Sequence, residues 1–162
     1  MHRTRDDFSE VCFDKVIIKD SVFKDYENMK ITFMNFEEAV KKGFGEDGMM
    51  ALGKCEEKMK EKTKALAATK EKYPDFGEED ALAIMLYTYD NKKDAEKNPY
   101  RILNKVLCKR NDKDVMKILP YTMYLLRALR KLEQHNVTKE LYRGINGGHL
   151  NMDTYKEGVY LS

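Results

Sequence analysis

The chain has 162 residues and a formal net charge of +2 at pH 7, which is the size of one domain. Its 30 lysines and arginines balance 28 aspartates and glutamates, so it lacks the basic excess of a nucleic-acid surface and we expect no nucleic-acid partner. It has no run of 18 apolar residues and no apolar signal segment at its start, so we expect no membrane partner and a cytoplasmic location.

Residues 1–73 show helical patterns separated by glycines. Residues 11–18 are apolar enough for a short strand, and residues 23–42 form a patchy helical pattern that we expect to end at Gly43. Residues 49–73 carry one apolar stripe at steps of three and four, with lysines and glutamates outside. This pattern predicts a surface helix that ends before Pro74.

The stretch from residue 78 to residue 143 has no glycine, which favours further helices. Residues 81–87 are apolar almost all round and predict a buried helix that starts at Glu78. A polar loop over residues 91–98 follows, and Pro99 suits the first turn of the next helix.

Towards the end of the chain, the helical patterns give way to short strand-like runs and glycines. We expect a short turn over residues 112–119 and a separate helix that Pro120 opens and that runs to Leu132. Residues 140–145 and 158–162 resemble two short strands joined by a glycine-rich turn.

These patterns together predict an α+β fold in one domain over residues 1–162. Residues 1–136 would be mainly helical, and residues 137–162 would supply the first strands of a sheet.

Cysteine and histidine spacing argues against metal and disulfide chemistry. Cys12, Cys55 and Cys108 lie far apart, no Cys-x-x-Cys pair occurs, and the three histidines do not fall at ligand spacing. We therefore expect no metal site and no disulfide framework.

Two patterns favour a structural interpretation. Residues 43–48 match Gly-x-Gly-x-x-Gly, but a helical pattern precedes them and Glu46 and Asp47 would repel phosphates, so we interpret them as a helix C-cap and a turn. The lysines of residues 54–72 alternate with glutamates and lack interleaved aromatics, which is typical of a solvated helix face.

Three short motifs carry more information. Tyr87 and the threonine after it end the apolar helix, and Tyr100 and Asn104 lie four apart on one helix face. Arg143 stands inside a hydrophobic strand pattern and is followed by Gly144. An inward-facing arginine needs an anion, for which a buried carboxylate and a phosphate are both open alternatives.

The order of these motifs resembles the N-terminal half of mono-ADP-ribosyltransferases of the arginine–serine–glutamate class. The resemblance covers residues 78–162, a little over half of the chain, and its motifs run from the acidic residues at 78–80 through Tyr142-Arg143-Gly144. It implies an ADP-ribosyltransferase-like sandwich fold and a glycosyl-transfer reaction. That reaction would move ADP-ribose from NAD to a protein acceptor.

The resemblance also implies roles for individual residues. Arg143, the one hallmark residue present, would hold the NAD phosphates and brace the site, and the Gly144 backbone would face the nicotinamide carboxamide. Tyr100 and Asn104 would line the phosphate side of the pocket, and Tyr87 would assist them.

The family's Ser-Thr-Ser and Glu-x-Glu motifs do not occur in the 162 residues. We therefore expect a truncated domain that does not turn over NAD by itself. The alternatives are a non-enzymatic helical interaction module and an inactive relative of these transferases.

Overall fold

The computed structural model describes residues 34–109 and 111–132, and 82% of them are helical. The five α-helices of this part are Phe36–Glu61 (α1), Thr63–Lys72 (α2), Glu78–Tyr87 (α3), Pro99–Lys109 (α4) and Asp112–Lys131 (α5). A short 3-10 helix, Ala95–Lys97, lies between α3 and α4. None of these helices is long and apolar enough to cross a membrane.

The expected α+β fold is wrong. Residues 34–109 and 111–132 hold helices and no strand, because their apolar residues recur at helical spacing and pack helix against helix. The strands expected at residues 140–145 and 158–162 lie outside the described residues, as does the short strand considered at residues 11–18.

The core forms where α5 packs against α1 and α3. Tyr121 of α5 is fully buried at its centre, with its ring edge-on to Phe44 at 4.9 Å between centroids. The Tyr121 hydroxyl donates a hydrogen bond of 2.8 Å to the Ala83 carbonyl of α3. One side chain therefore joins all three helices, which fixes α3 relative to the other two.

The expected break in α5 at Pro120 is also wrong. A single helix runs through Pro120, and Asn111 caps its start by accepting hydrogen bonds from the Lys113 and Asp114 amides. Proline removes one helical hydrogen bond and normally ends a helix. Here residues 118–125 are all buried, so tertiary packing holds the helix together across the lost bond.

Helix α1 extends beyond its expected end and has a kink near its middle. The helical pattern does not end at Gly43 but continues to Glu61, and Gly45 interrupts it with φ 65° and ψ −153°. Two helical segments of α1 therefore meet at a kink within the Gly-x-Gly-x-x-Gly segment, two residues beyond the end expected at Gly43. The predicted helix over residues 49–73 is divided between α1 and α2, which meet at Lys62.

We expect Gly45→Ala to destabilise the protein by about 1–3 kcal/mol, because the Gly45 backbone lies in a region that essentially only glycine adopts. Gly53→Ala is the matched control, since Gly53 is helical within α1 and a methyl group there would meet nothing within 4 Å. That control should gain about 0.5–1 kcal/mol. Urea denaturation of both variants measures the difference, and equal effects would contradict the kink.

Candidate functional site

Helix α3 carries the first predicted site residue at its C-terminal end. The helix ends at Tyr87, and Thr88 caps it by donating its hydroxyl proton to the Ile84 carbonyl at 3.1 Å. Both features agree with the sequence prediction for this helix end. Tyr87 is half-buried and packs against the core, so its ring position is set by the packing of α3.

The N-terminal end of α3 is held by an ion pair. The Asp80 carboxylate accepts a 2.8 Å hydrogen bond from the Gly77 amide, which forms half of a capping box. The same oxygen, Oδ2, lies 2.6 Å from Lys131 Nζ at the end of α5. Thr88 therefore fixes the C-terminal end of α3, while Asp80 fixes its N-terminal end through both a capping hydrogen bond and an interhelical ion pair.

A loop of eleven residues, 88–98, connects α3 to α4, and one buried amide organises it. Asn98 has no exposed surface, its Oδ1 accepts the Asn91 amide at 2.7 Å, and its Nδ2 donates to the Asp90 carboxylate at 3.1 Å. The Asn98 carbonyl also accepts the amides of Arg101 and Ile102. Asn98 thus ties the start of the loop to the first turn of α4.

Helix α4 carries the other two predicted site residues. It begins at Pro99, as predicted, and places Tyr100 and Asn104 one turn apart, both half-buried. The Tyr100 hydroxyl accepts a 3.3 Å hydrogen bond from Arg101 Nε, and Arg101 Nη1 lies 3.0 Å from Glu96 Oε1. Helices α3 and α4 contact each other, so Tyr87 and Tyr100 stand on neighbouring helices.

Hydrogen bonds change the acidity of this cluster. The pKa of Tyr100 is lowered from its ordinary value, first by the hydrogen bond from Arg101 and then by a hydrogen bond to the Asn98 side chain. The pKa of Arg101 is raised by its bond to Tyr100. The Tyr100 oxygen therefore acts as the hydrogen-bond acceptor in its contact with Arg101.

Sequence reasoning missed Asn98, Arg101 and Glu96. The dipeptide Asn98-Pro99 does signal a turn, but it does not reveal that the Asn98 side chain reaches back seven and eight residues to Asn91 and Asp90. Nothing in the sequence distinguishes Arg101 and Glu96 as functional residues, because charged residues occur throughout the chain. Arg143 and Gly144 lie outside the described residues, so their places relative to Tyr100 stay predictions.

Other chemistries find little support in the described part of the chain. No group of three or more histidine, cysteine, aspartate or glutamate side chains is placed to hold a metal ion there. Burial raises the pKa of the Cys55 thiol to about 11, so this cysteine is a neutral core residue and a poor nucleophile.

A family model described as NAD:arginine ADP-ribosyltransferase matches residues 21–161. The chain belongs to this family. Comparison with curated proteins and with solved structures gives no match. The predicted resemblance to mono-ADP-ribosyltransferases is therefore confirmed at the level of the family.

Membership of the NAD:arginine ADP-ribosyltransferase family fixes the general chemistry. The family uses NAD as its substrate and acts on protein acceptors. The matched range includes Tyr87, Tyr100, Asn104, Arg143 and Gly144. It also extends to the N-terminal side of α1, further than the motifs alone reached.

Proposed function

We propose that this chain holds NAD for mono-ADP-ribosyl transfer to a protein side chain. The observation that carries the proposal is the family match over residues 21–161. The order of Tyr87, Tyr100, Asn104 and Arg143 along the chain supports it, as does the placement of the first three on the contacting helices α3 and α4.

In the proposed complex, the NAD phosphates lie between α4 and Arg143. The Arg143 guanidinium grips two phosphate oxygens with parallel hydrogen bonds. Tyr100 and Asn104 contribute a phenol and an amide from one face of α4, and Tyr87 closes the side nearest α3. The Gly144 backbone faces the nicotinamide carboxamide, because a glycine lets a ligand approach the main chain.

The reaction breaks the bond between the nicotinamide nitrogen and C1 of the ribose. Nicotinamide leaves as a neutral base, and the ribose passes through an oxocarbenium-like state. A nucleophilic atom of the acceptor side chain then bonds to C1 and gives up its proton. We assign phosphate binding and orientation to the residues above, and we assign no residue of this chain to stabilisation of the cation.

We expect Arg143→Ala to weaken NAD binding at least about tenfold, because a charge-assisted bidentate contact is lost. Arg143→Lys should recover only part of the affinity, since lysine keeps the charge but not the paired geometry. Isothermal titration of the 162-residue chain with NAD measures both, and circular dichroism checks that each variant is folded.

Lys117→Ala is the control, because it removes one exposed positive charge from α5, whereas Tyr87, Tyr100 and Asn104 lie on α3 and α4. It should leave the NAD affinity unchanged. Equal affinity of wild type and Arg143→Ala would remove Arg143 from the site. A wild-type chain without measurable NAD binding would refute the proposed function.

A further inference from the structure

Tyr100, Arg101 and Glu96 form a chain of three side chains that joins the start of α4 to the 3-10 helix Ala95–Lys97. Arg101 Nε donates to the Tyr100 oxygen at 3.3 Å, and Arg101 Nη1 contacts Glu96 Oε1 at 3.0 Å. Neighbouring residues on a helix point about 100° apart. The Arg101 side chain therefore bends along the helix to meet Tyr100, while Glu96 holds its other end.

The hydrogen bond from Arg101 decides in which direction the Tyr100 hydroxyl can donate its own proton. A guanidinium has only donors, so in this contact the phenol oxygen must accept. The single hydroxyl proton of Tyr100 is then left to donate away from Arg101. The lowered pKa of Tyr100 agrees with this polarity, since Arg101 and then Asn98 stabilise negative charge on the oxygen, while desolvation and, more weakly, the Asp90 carboxylate oppose them.

Two nitrogen atoms of the Arg101 guanidinium already have partners within the chain. Its Nε faces Tyr100, and its Nη1 faces Glu96, which offsets its positive charge. An arginine whose function was to grip a phosphate directly would keep its paired donors free for two phosphate oxygens. The contacts of Arg101 instead fit a residue that acts through its neighbour.

We propose that Arg101 is a positioning residue that holds the Tyr100 phenol as a hydrogen-bond donor to a phosphate oxygen of NAD, with Glu96 restraining the Arg101 side chain. This inference rests on the proposed function, which places Tyr100 on the phosphate side of the pocket. It adds two residues that the family motifs do not include.

A double-mutant cycle tests the coupling between Arg101 and Tyr100. Arg101→Gln and Tyr100→Phe should each weaken NAD binding about threefold to tenfold. The double variant should bind no more weakly than Tyr100→Phe alone, because without the hydroxyl there is nothing for Arg101 to orient. Additive losses in affinity would show that Arg101 acts independently of Tyr100 and would overturn the proposal.

Lys105→Gln supplies the matched control, since Lys105 is exposed on the same helix and loses the same charge. Its NAD affinity should equal that of wild type. A loss as large as that of Arg101→Gln would mean that general electrostatic attraction explains both variants, which would also overturn the proposal. Glu96→Gln should weaken binding by less than Arg101→Gln, because it only loosens the restraint.

A spectroscopic readout tests the pair without NAD. In protein labelled with carbon-13 at tyrosine Cζ, the Tyr100 signal is assigned by its loss in Tyr100→Phe. Arg101→Gln should raise the pKa of Tyr100, whereas Lys105→Gln should not. An unchanged pKa would overturn the proposed contact. A wild-type chain that binds no NAD refutes the proposed function, whereas NAD binding with an additive cycle refutes only the role of Arg101.

Discussion

Replacing Asp80 with alanine should destabilise the protein by about 3–5 kcal/mol, the cost of leaving one member of a buried ion pair without its partner. The side chains of Lys131 and Asp80 retain only 16% and 10% of their exposure, and the two charged atoms are 2.6 Å apart. Asp80→Ala leaves the Lys131 ammonium without its ion-pair partner and also removes the acceptor of the Gly77 amide. Urea denaturation followed by circular dichroism measures the loss.

Two comparisons separate this pair from ordinary surface charges. Glu57→Ala breaks a pair with Lys54 that is 3.3 Å long, but these side chains are 67% and 62% exposed. We expect that variant to lose less than about 0.5 kcal/mol. Adding Lys131→Met to Asp80→Ala should recover most of the lost stability, because no unpaired charge then stays buried. If Asp80→Ala and Glu57→Ala lose equal stability, the pair does not hold α3 to α5.

Local signals along the chain predicted the start of α4 and the end of α3. Pro99 opens α4 because its fixed φ suits a first turn and its missing amide proton is not needed there. The apolar run before Tyr87 predicted α3, and the structure ends that helix as expected. The motif order also predicted the family, because it joins several elements and does not depend on any one of them.

Interactions between distant residues could not be predicted in this way. Asp80 and Lys131 are 51 residues apart, and among the 58 charged lysine, arginine, aspartate and glutamate residues nothing marks these two as partners. Pro120 stands inside α5 because the surrounding residues are buried on every side, which is a tertiary effect. The α+β prediction rested on short strand patterns near the chain end as well as on the resemblance, whereas residues 34–109 and 111–132 hold helices and no strand.

Asn98 is the strongest case of a residue that only the structure reveals. Asn98→Ala should destabilise the protein by about 3 kcal/mol, because it leaves the Asn91 amide and the Asp90 carboxylate without their buried partner. Asn98→Asp should lose at least as much stability. It keeps an acceptor for Asn91 but puts a second carboxylate beside Asp90. Urea denaturation gives the size of each effect, and amide exchange at Asn91 should lose its protection in the alanine variant.

Asn91→Ala is the matched control from the same loop, because among the described residues its side chain accepts just the exposed Lys93 amide, while its own backbone still bonds to Asn98. It should lose less than about 1 kcal/mol. Equal losses for the two variants would mean that Asn98 does not organise the loop.

The Asn98 carbonyl also accepts the amides of Arg101 and Ile102, so loosening Asn98 shifts the first turn of α4, which carries Tyr100. The proposed NAD site therefore requires Asn98→Ala to weaken NAD binding at temperatures where the variant is still fully folded, which Asn91→Ala should not do.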